Sequence, residues 1–357
     1  MNGTLTVVFA AILLAASAWA APGEKPAAKA GPRPGEPWRA VHVMTPSARS
    51  FDALQAQLPA LARLGVNVLI CEVNYGFDYQ SHPELKGYAG ATDKRRARRF
   101  AAACRQAGIR LVPMINCIGH QSWKANTAAL LKRYPELDET PGQYPGNKGI
   151  YCRSWCTRHP KVYPILFALI DELIDAFQAD AFHVGMDEIF LIGSPHCPRC
   201  KGKDPADLLA AAIGTFHKHL KARGVEMLMW GDRLIDAKAT GMGKWEAAEN
   251  GTAPAIDKIP RDVILCPWHY TKRKAYPSVP MMLKKGFRVL PGGWNKTDAV
   301  EALIDYSVAQ RSPRMLGYMA TTWSVKTGQV AQYAPLVAGI KRIAAARATT
   351  PKPDSSR

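Results

Sequence analysis

The chain has 357 residues, of which 47% are hydrophobic and 21% charged. That length holds two or three ordinary domains or one large α/β barrel, and the composition excludes a wholly disordered chain. Forty-seven Lys and Arg against 29 Asp and Glu give a net charge of +18, which suits a polyanionic partner or plain solubility and says nothing about fold.

The first element in chain order is apolar. Residues 5–18 are almost free of polar side chains, and Ala18-Trp19-Ala20 reads as a small-residue cleavage signal. Residues 1–20 are therefore expected to be a signal peptide, which makes the mature chain secreted or periplasmic. No Lys or Arg precedes the apolar run, so an uncleaved anchor is the alternative. No later stretch is long and apolar enough to span a bilayer, so no transmembrane span is expected after cleavage. Residues 21–37 are rich in Pro, Ala, Gly and Lys and read as a flexible linker. Residues 349–357 read as a disordered tail. The folded body is then residues 38–348, expected to be one domain.

Within that body, short β-branched runs alternate with amphipathic stretches. Strands are expected at 40–44, 66–71, 110–115, 181–184, 225–230, 263–267, 287–290 and 315–320. Helical periodicity falls at 51–64, 93–107, 163–177, 206–222, 279–285, 299–310 and 333–345. Gly65, Gly108, Gly224 and Gly286 each stand where a helix ends and a buried strand begins, as the left-handed closing residue of a helix requires. The alternation argues for parallel βα units. The count of eight favours a closed (β/α)₈ TIM barrel, an α/β fold, over an open doubly wound sheet.

In such a barrel, function sits at the C-terminal ends of the strands. Strand two runs into Glu72-Val73-Asn74-Tyr75, strand three into Asn116-Cys117-Ile118-Gly119-His120, and strand four into His183-Val184-Gly185-Met186-Asp187-Glu188. The later strands end at Trp230-Gly231-Asp232, Trp268-His269-Tyr270, Gly292-Gly293-Trp294 and Thr322-Trp323-Ser324. Tryptophans thus follow four successive strands, and indole walls suit a sugar ring, whose C–H faces pack on aromatic surface. Asp187 and Glu188 are the candidate catalytic pair. Adjacent carboxylates after a buried strand repel one another and lose solvent, and both effects raise a carboxyl pKa. Such a shift keeps a Glu protonated as a general acid. The alternative is a surface Asp-Glu pair capping a helix, but the apolar runs 181–184 and 189–192 flank it.

Cys71, Cys104, Cys117 and Cys266 stand singly in apolar runs and read as small buried residues. Cys152 and Cys156, and Cys197 and Cys200, form two close pairs in polar, loop-like sequence. Two disulfides, a structural zinc and unpaired thiols are all compatible with that spacing. No other metal and no organic cofactor is expected. Arg95, Arg96, Arg98 and Arg99 read as a solvated helix face. No nucleic-acid motif accompanies them, so no nucleic-acid partner is expected.

The segment His183-Val184-Gly185-Met186-Asp187-Glu188 resembles the His-x-Gly-x-Asp-Glu signature of glycoside hydrolase family 20, the β-N-acetylhexosaminidases. Residues 113–120 are similar to the family's Pro-Glu-Ile-Asp-Met-Pro-Gly-His segment, and His82-Pro83-Glu84-Leu85 to its Tyr-Pro-Glu-Leu stretch. Trp230, Trp268 and Trp323 fall where the family has pocket tryptophans. The chain departs from the pattern at Glu72, Tyr75, Met114 and Asn116, and no Tyr-x-Asp stands near Trp294. These departures mark a divergent branch.

The resemblance implies an oligosaccharide or glycoconjugate substrate, release of terminal β-linked N-acetylhexosamine, and substrate-assisted retention. Glu188 would be the acid and base, and Asp187 would hold the acetamido N–H. His120, His183, Trp230, Asp232, Trp268, Trp294 and Trp323 would bind substrate, together with a strand-one arginine, Arg39 or alternatively Arg49. A glycosidase of other specificity and a non-catalytic glycan-binding barrel are the competing readings, the second favoured by Met114 and Tyr75. The sequence fixes no oligomeric state.

Overall fold

The computed structural model describes residues 30–87 and 90–348. The expected signal peptide, the expected tail and residues 21–29 of the expected linker lie outside the described residues. Eight strand positions follow one another: β1 (Trp38–Met44), β2 (Val68–Glu72), β3 (Arg110–Cys117), β4 (Ala181–Gly185), β5 (Glu226–Trp230), β6 (Ile264–Cys266), β7 (two segments, Arg288–Val289 and Gly292–Gly293) and β8 (Gly317–Thr321). All their pairings are parallel, and β1 lies between β8 and β2, with Trp38 opposite Gly317 and Ala40 opposite Val68. The break in β7 falls at Leu290-Pro291, where proline has no N–H to give the ladder. Before the break β7 pairs with β6, and after it with β8. The two half-strands thereby close the sheet on itself, and the result is the (β/α)₈ barrel.

Both faces of a closed parallel barrel are buried, which is why its strands are almost continuously apolar. Their period of two still sorts the side chains. Ala40, Val68, Ile70, Val112, Met114 and Leu228 belong to the cluster inside the barrel. Val41, Leu69, Leu111, Phe182 and Leu265 belong to the larger cluster under the helices.

The outer ring comprises α1 (Ala48–Leu64), α2 (Lys94–Gln106), α3 (Val162–Phe177), α4 (Pro205–Ala222), α5 (Ser278–Lys284), α6 (Thr297–Val308) and α7 (Ala334–Ala348). Helix α1 shows how the sequence sets the ends. The Ser47 hydroxyl accepts the Ser50 amide at its start, and Gly65 closes it at φ 95°. Between β5 and β6 the helical layer shrinks to Ala237–Thr240 and the 3₁₀ segment Ala253–Asp257.

The insertion between β3 and α3, residues 118–161, carries a small hairpin (Ser122–Trp123 with Asn126–Thr127) and the short helix Ala129–Arg133. It is organised around the buried Arg153. That guanidinium pairs with Asp138 and donates to Asn147 Oδ1 and to the carbonyls of Gln143 and Tyr144. One planar five-donor group thus supplies the order that regular secondary structure does not.

The N-terminal face of the barrel is tied by charge. Arg110 reaches Asp180 at 2.8 Å and Glu226 at 2.7 Å, Arg288 reaches Glu226 at 2.7 Å, and the Arg110 guanidinium lies over the Trp38 ring. Residues 30–37, the end of the expected linker, run along this face. The Gly31 amide donates to the Gly108 carbonyl at 3.1 Å, and the Asn67 side-chain amide to the Pro37 carbonyl at 3.0 Å. Among the described residues no helix is long and apolar enough to cross a membrane.

Closure depends on one glycine. Gly317 starts β8 at φ 151°, and a Cβ there would run into the backbone of Trp38, its pairing partner in β1. Gly317→Ala is therefore expected to destabilise the fold by about 1–3 kcal/mol. Urea denaturation followed by tryptophan fluorescence would measure this, and an unchanged midpoint would show that the β1–β8 seam yields freely.

Candidate functional site

The C-terminal strand ends bring the sequence-predicted acids together. Asp187 and Glu188 follow β4, and His120 follows β3. His120 Nε2 lies 3.3 Å from Asp187 Oδ2 and 3.1 Å from Glu188 Oε2, ion-pair distances without the alignment of a hydrogen bond. Asn116 Nδ2 donates to Asp187 Oδ1 at 2.7 Å. Asp187 is buried, while Glu188 and His120 are partly exposed.

The backbone here is forced into unusual conformations. Gly185, Met186 and Glu188 have φ of 68°, 69° and 49°, and across from them Ile118 and His120 have 67° and 54°. Left-handed φ at non-glycine residues costs energy and clusters at functional sites. At Gly185 a side chain is impossible, because a Cβ would overlap the Asn116 side chain.

The electrostatics differ from the sequence expectation. Two adjacent carboxylates were expected to raise each other's pKa. Burial does push Asp187 up, but the His120 charge and the Asn116 hydrogen bond outweigh it and hold Asp187 below the usual carboxylate range. His120 is moved the other way. Burial lowers it, but Asp187 and Glu188 raise it well above an ordinary imidazole. An ionised Asp187 beside a charged His120 is the state this geometry favours.

A second network runs behind Asn116. Asn74 Oδ1 accepts the Asn116 amide at 2.8 Å, Asn74 Nδ2 donates to Glu72 Oε1 at 2.7 Å, and Glu72 Oε2 meets His42 Nε2 at 2.9 Å. Glu72 and Asn116, two of the positions that depart from the family pattern, thus hold each other in place. His42, given no role by the sequence reading, sits 4.4 Å from the Trp323 ring and 5.5 Å from Trp230 between ring centroids.

The aromatic residues divide into two layers. Trp230 and His183 are fully buried with ring centroids 4.8 Å apart, and Trp268 is nearly so. Above them Tyr270, Trp294 and Trp323 are half-buried. Trp323 Nε1 donates to the Tyr270 hydroxyl at 2.8 Å, and the Tyr270 ring stacks on Trp268 and tilts against Trp294. Burial pushes the Tyr270 phenol up, and the charges of Asp187 and Glu188 add to it. On the other side, Tyr151 lies with its ring 5.9 Å from His120 and meets Phe190, Trp123 and Trp245 edge to face. Trp123 and Trp245 are exposed, at 54% and 42%. The sequence reading missed Tyr151, which only its place beside Cys152 could have suggested. Tyr270 was visible in Trp268-His269-Tyr270.

Three residues expected to contact substrate have side chains that the protein itself holds. Arg39 is the second residue of β1 and so lies at the opposite end of the barrel, where it pairs with Glu36 and donates to the Gly65 carbonyl. Arg49 is exposed on the first turn of α1, on the functional side. Asp232 is fully buried beneath Glu188. Its Oδ2 accepts the Glu188 amide at 2.9 Å and the Arg233 guanidinium at 2.6 Å. Burial raises its pKa to about 6 against the pull of Arg233. His183 is equally buried. Its Nδ1 accepts the Gly185 amide at 3.0 Å, and burial and His42 lower its pKa to about 3, so it is neutral and shapes the β4 turn.

The paired cysteines separate. All eight cysteines are buried thiols. Cys152 lies under the acids, with its sulfur 3.6 Å from the Glu188 carbonyl oxygen. Cys156, Cys197 and Cys200 gather elsewhere, away from Cys152.

A model of the glycosyl hydrolase family 20 catalytic domain matches residues 48–337. The lacto-N-biosidase of Bifidobacterium bifidum is 24% identical over 209 residues, which is 55% of this chain and 17% of that protein. Among solved structures, Flavobacterium johnsoniae chitobiase superposes with TM-score 0.63 at 21% identity, covering 86% of this chain and 48% of its own. The β-N-acetylhexosaminidase of Bacteroides fragilis gives 0.61 at 15% identity, covering 86% and 65%. The chain thus spans under a fifth of its curated relative and about half of the chitobiase. With the acids at the end of β4 and the family match running through the barrel, this chain belongs to glycosyl hydrolase family 20.

Proposed function

We propose that this chain is an exported exo-glycosidase that removes terminal β-linked N-acetylhexosamine by substrate-assisted retention. The observation that carries the reading is how the carboxylates around the acids are committed. Glu72 is bound to His42 and Asn74, Asp232 to Arg233 and the Glu188 amide, and Glu246 to His269. Glu72 and Glu246 are spent on the protein, and Asp232 is held through Oδ2 alone, its Oδ1 lying fully buried without a hydrogen-bond partner. Asp187 and Glu188 are left on His120, one held by Asn116 and the other partly exposed. A double-displacement glycosidase sets a second carboxylate roughly 5–5.5 Å from the acid as nucleophile. Asp187, ionised and fixed, suits an acetamido N–H instead.

In this reading the acetamido oxygen of the substrate attacks its own anomeric carbon. Glu188 gives a proton to the leaving oxygen, and later takes one from the incoming water. Asp187 holds the acetamido N–H and stabilises the positive charge of the cyclised intermediate. Tyr270, Trp294 and Trp323 wall the sugar. Tyr151, Phe190, Trp123 and Trp245 lie on the Glu188 side, where the leaving group departs. Relatives named chitobiase, β-N-acetylhexosaminidase and lacto-N-biosidase motivate a panel of N-acetylated substrates. Export rests on residues 1–20, and a mature N-terminus at Ala21 is the expected mass-spectrometric result.

Glu188→Gln tests the acid. It is expected to slow substrates with poor leaving groups by about 10²–10⁴-fold and to spare activated aryl glycosides. Equal loss on both would remove Glu188 from the role.

Asp187→Asn is expected to lower kcat on N-acetyl glycosides without unfolding the chain. A thiazoline that mimics the cyclised intermediate should bind wild type far more tightly than the N-acetyl sugar, and plain glucosides should be almost inert. A covalent sugar trapped on a carboxylate would overturn the mechanism.

The His120–Asp187 pair has a pH signature. His120 is raised on folding, so its contribution to stability is whole below its unfolded value of about 6.5 and is lost as pH climbs through the raised folded value. Asp187 is lowered, so its contribution is whole above about pH 3.8 and is lost as pH falls through the lowered value. His120→Gln is therefore expected to melt below wild type near neutral pH, with the gap closing under alkaline conditions. A gap that is constant from neutral to alkaline pH would show that His120 is not charged.

A further inference from the structure

Away from the acids, three cysteines and a glutamate converge. Cys156 Sγ lies 3.4 Å from Cys197 Sγ and 3.5 Å from Cys200 Sγ. The Glu139 carboxylate completes the group, and all four candidate ligand atoms lie within 4.8 Å of one another. Each residue is at most 1% exposed. One Glu139 oxygen accepts the Ser194 amide at 2.9 Å, and the other, buried, has no hydrogen-bond partner.

We propose that Cys156, Cys197, Cys200 and Glu139 form a structural zinc site. Four ligands at the corners of a tetrahedron with bonds of about 2.3 Å stand about 3.8 Å apart, and sulfur and carboxylate oxygen are both zinc ligands. The thiol spacings are close to that edge. They are well beyond the roughly 2.05 Å of a disulfide. All four atoms also fall inside the reach of a single ion, which is too compact for an iron–sulfur cluster with ligands around its corners.

The local backbone is built for it. Glu139 and Cys156 sit on facing segments of the insertion, where the Glu139 amide donates to the Ser154 carbonyl and the Cys156 amide to the Leu137 carbonyl. Cys197 and Cys200 flank a tight turn, Pro198-Arg199, closed by the Lys201 amide on the Cys197 carbonyl. On binding, three thiols release three protons and the carboxylate enters ionised. The four ligands then carry −4 against the +2 of the ion, and the excess is set against the basic residues Arg199, Lys201 and Lys203 in the same loop.

The ion would join the insertion to the loop after β4. The insertion carries Tyr151 and Cys152 beside the acids, and the loop carries Asp187, Glu188 and Phe190. The site therefore clamps the two segments that build the catalytic mouth, with no ligand drawn from the mouth itself. This inference does not rest on the proposed reaction.

The full-length protein would be equilibrated with zinc under reducing conditions, desalted and analysed by mass spectrometry of its metal. About one zinc per chain is expected. Cys200→Ser and Glu139→Gln should each lower retention at least tenfold, while Cys152→Ser should retain the ion. Cobalt loaded into wild type should show thiolate-to-cobalt charge transfer, a readout that needs no variant to fold. A chain that keeps no zinc while Cys156, Cys197 and Cys200 react as free thiols would overturn the proposal. So would a disulfide among those three, or loss of the ion in Cys152→Ser.

Discussion

The structure of the catalytic face depends on one buried charge. A carboxylate removed from water must be matched by donors or by opposite charge, and at the end of β4 the carboxylate is Asp187. Asn116 supplies the donor from β3 and His120 the charge. For Asn116 to reach, β3 and β4 must approach so closely that residue 185 can carry no side chain, and it is glycine. The register between the two strands shifts between Met114 and Cys117 at the same place. The positive φ at Gly185, Met186 and Glu188 follows as the chain turns away beneath its own acids. Asp232 then holds the Glu188 amide, Arg233 holds Asp232, and Arg233 also donates to the carbonyls of Lys244, Trp245 and Ala247. That chain of contacts carries the position of one carboxylate out to Trp245.

The same charge organises the interior in the other direction. Asn116 is oriented by Asn74, Asn74 by Glu72, and Glu72 by His42. Along this chain each side chain pairs with the next, and only at its end is a group left over, the buried His42 Nδ1 having no hydrogen-bond partner. A family-typical acid at residue 116 would set a second carboxylate against Asp187 where Asn116 now donates. Asn116 and Glu72, both departures from the family pattern, are linked through Asn74, and Asn116 gives the acid pair a donor in place of a repelling charge.

The barrel was legible because its signals are local. Apolar runs of strand length and glycine helix caps lie within a few residues of each other, and the observed strands and helices fall on them. The β7 break was not read, because the expected strand stopped at 290 and the second segment, Gly292–Gly293, has no apolar side chain to mark it. Asp187 and Glu188 were legible because buried strand ends mark the functional face. Their pKa behaviour was not, because it depends on His120 and Asn116, brought in by β3 from about 70 residues away. Arg39 was offered from the resemblance alone, although the expected strand 40–44 already set it ahead of the strand, at the floor, and β1 confirms that end. The hold of Asp232 on the Glu188 amide and Arg233 was not legible, since a carboxylate that binds a hydroxyl and one that binds an amide look alike in sequence. Glu139 belongs to no recognisable spacing and joins the cysteines only through the folding of the insertion.

The insertion is where the fold and the chemistry become inseparable. A barrel strand end offers a catalytic residue one wall, formed by its neighbours in the sheet. Here Gly119 packs so tightly on the Asp187 carbonyl that a Cβ would lie 2.7 Å from it, and the Cys152 thiol meets the Glu188 carbonyl from below. Trp155 donates its amide to Ile118, which returns the far end of the insertion to the strand that started it. The acids are thus held between a sheet edge and a loop whose own order comes from Arg153. Strained φ values at Met186 and Glu188 persist only when surroundings over-determine them. Arg110, Glu226 and Arg288, at the other end of the barrel, tie strands together without strain and carry none of that duty. The division places stability at the strand beginnings and leaves the strand ends free to be shaped by the insertion.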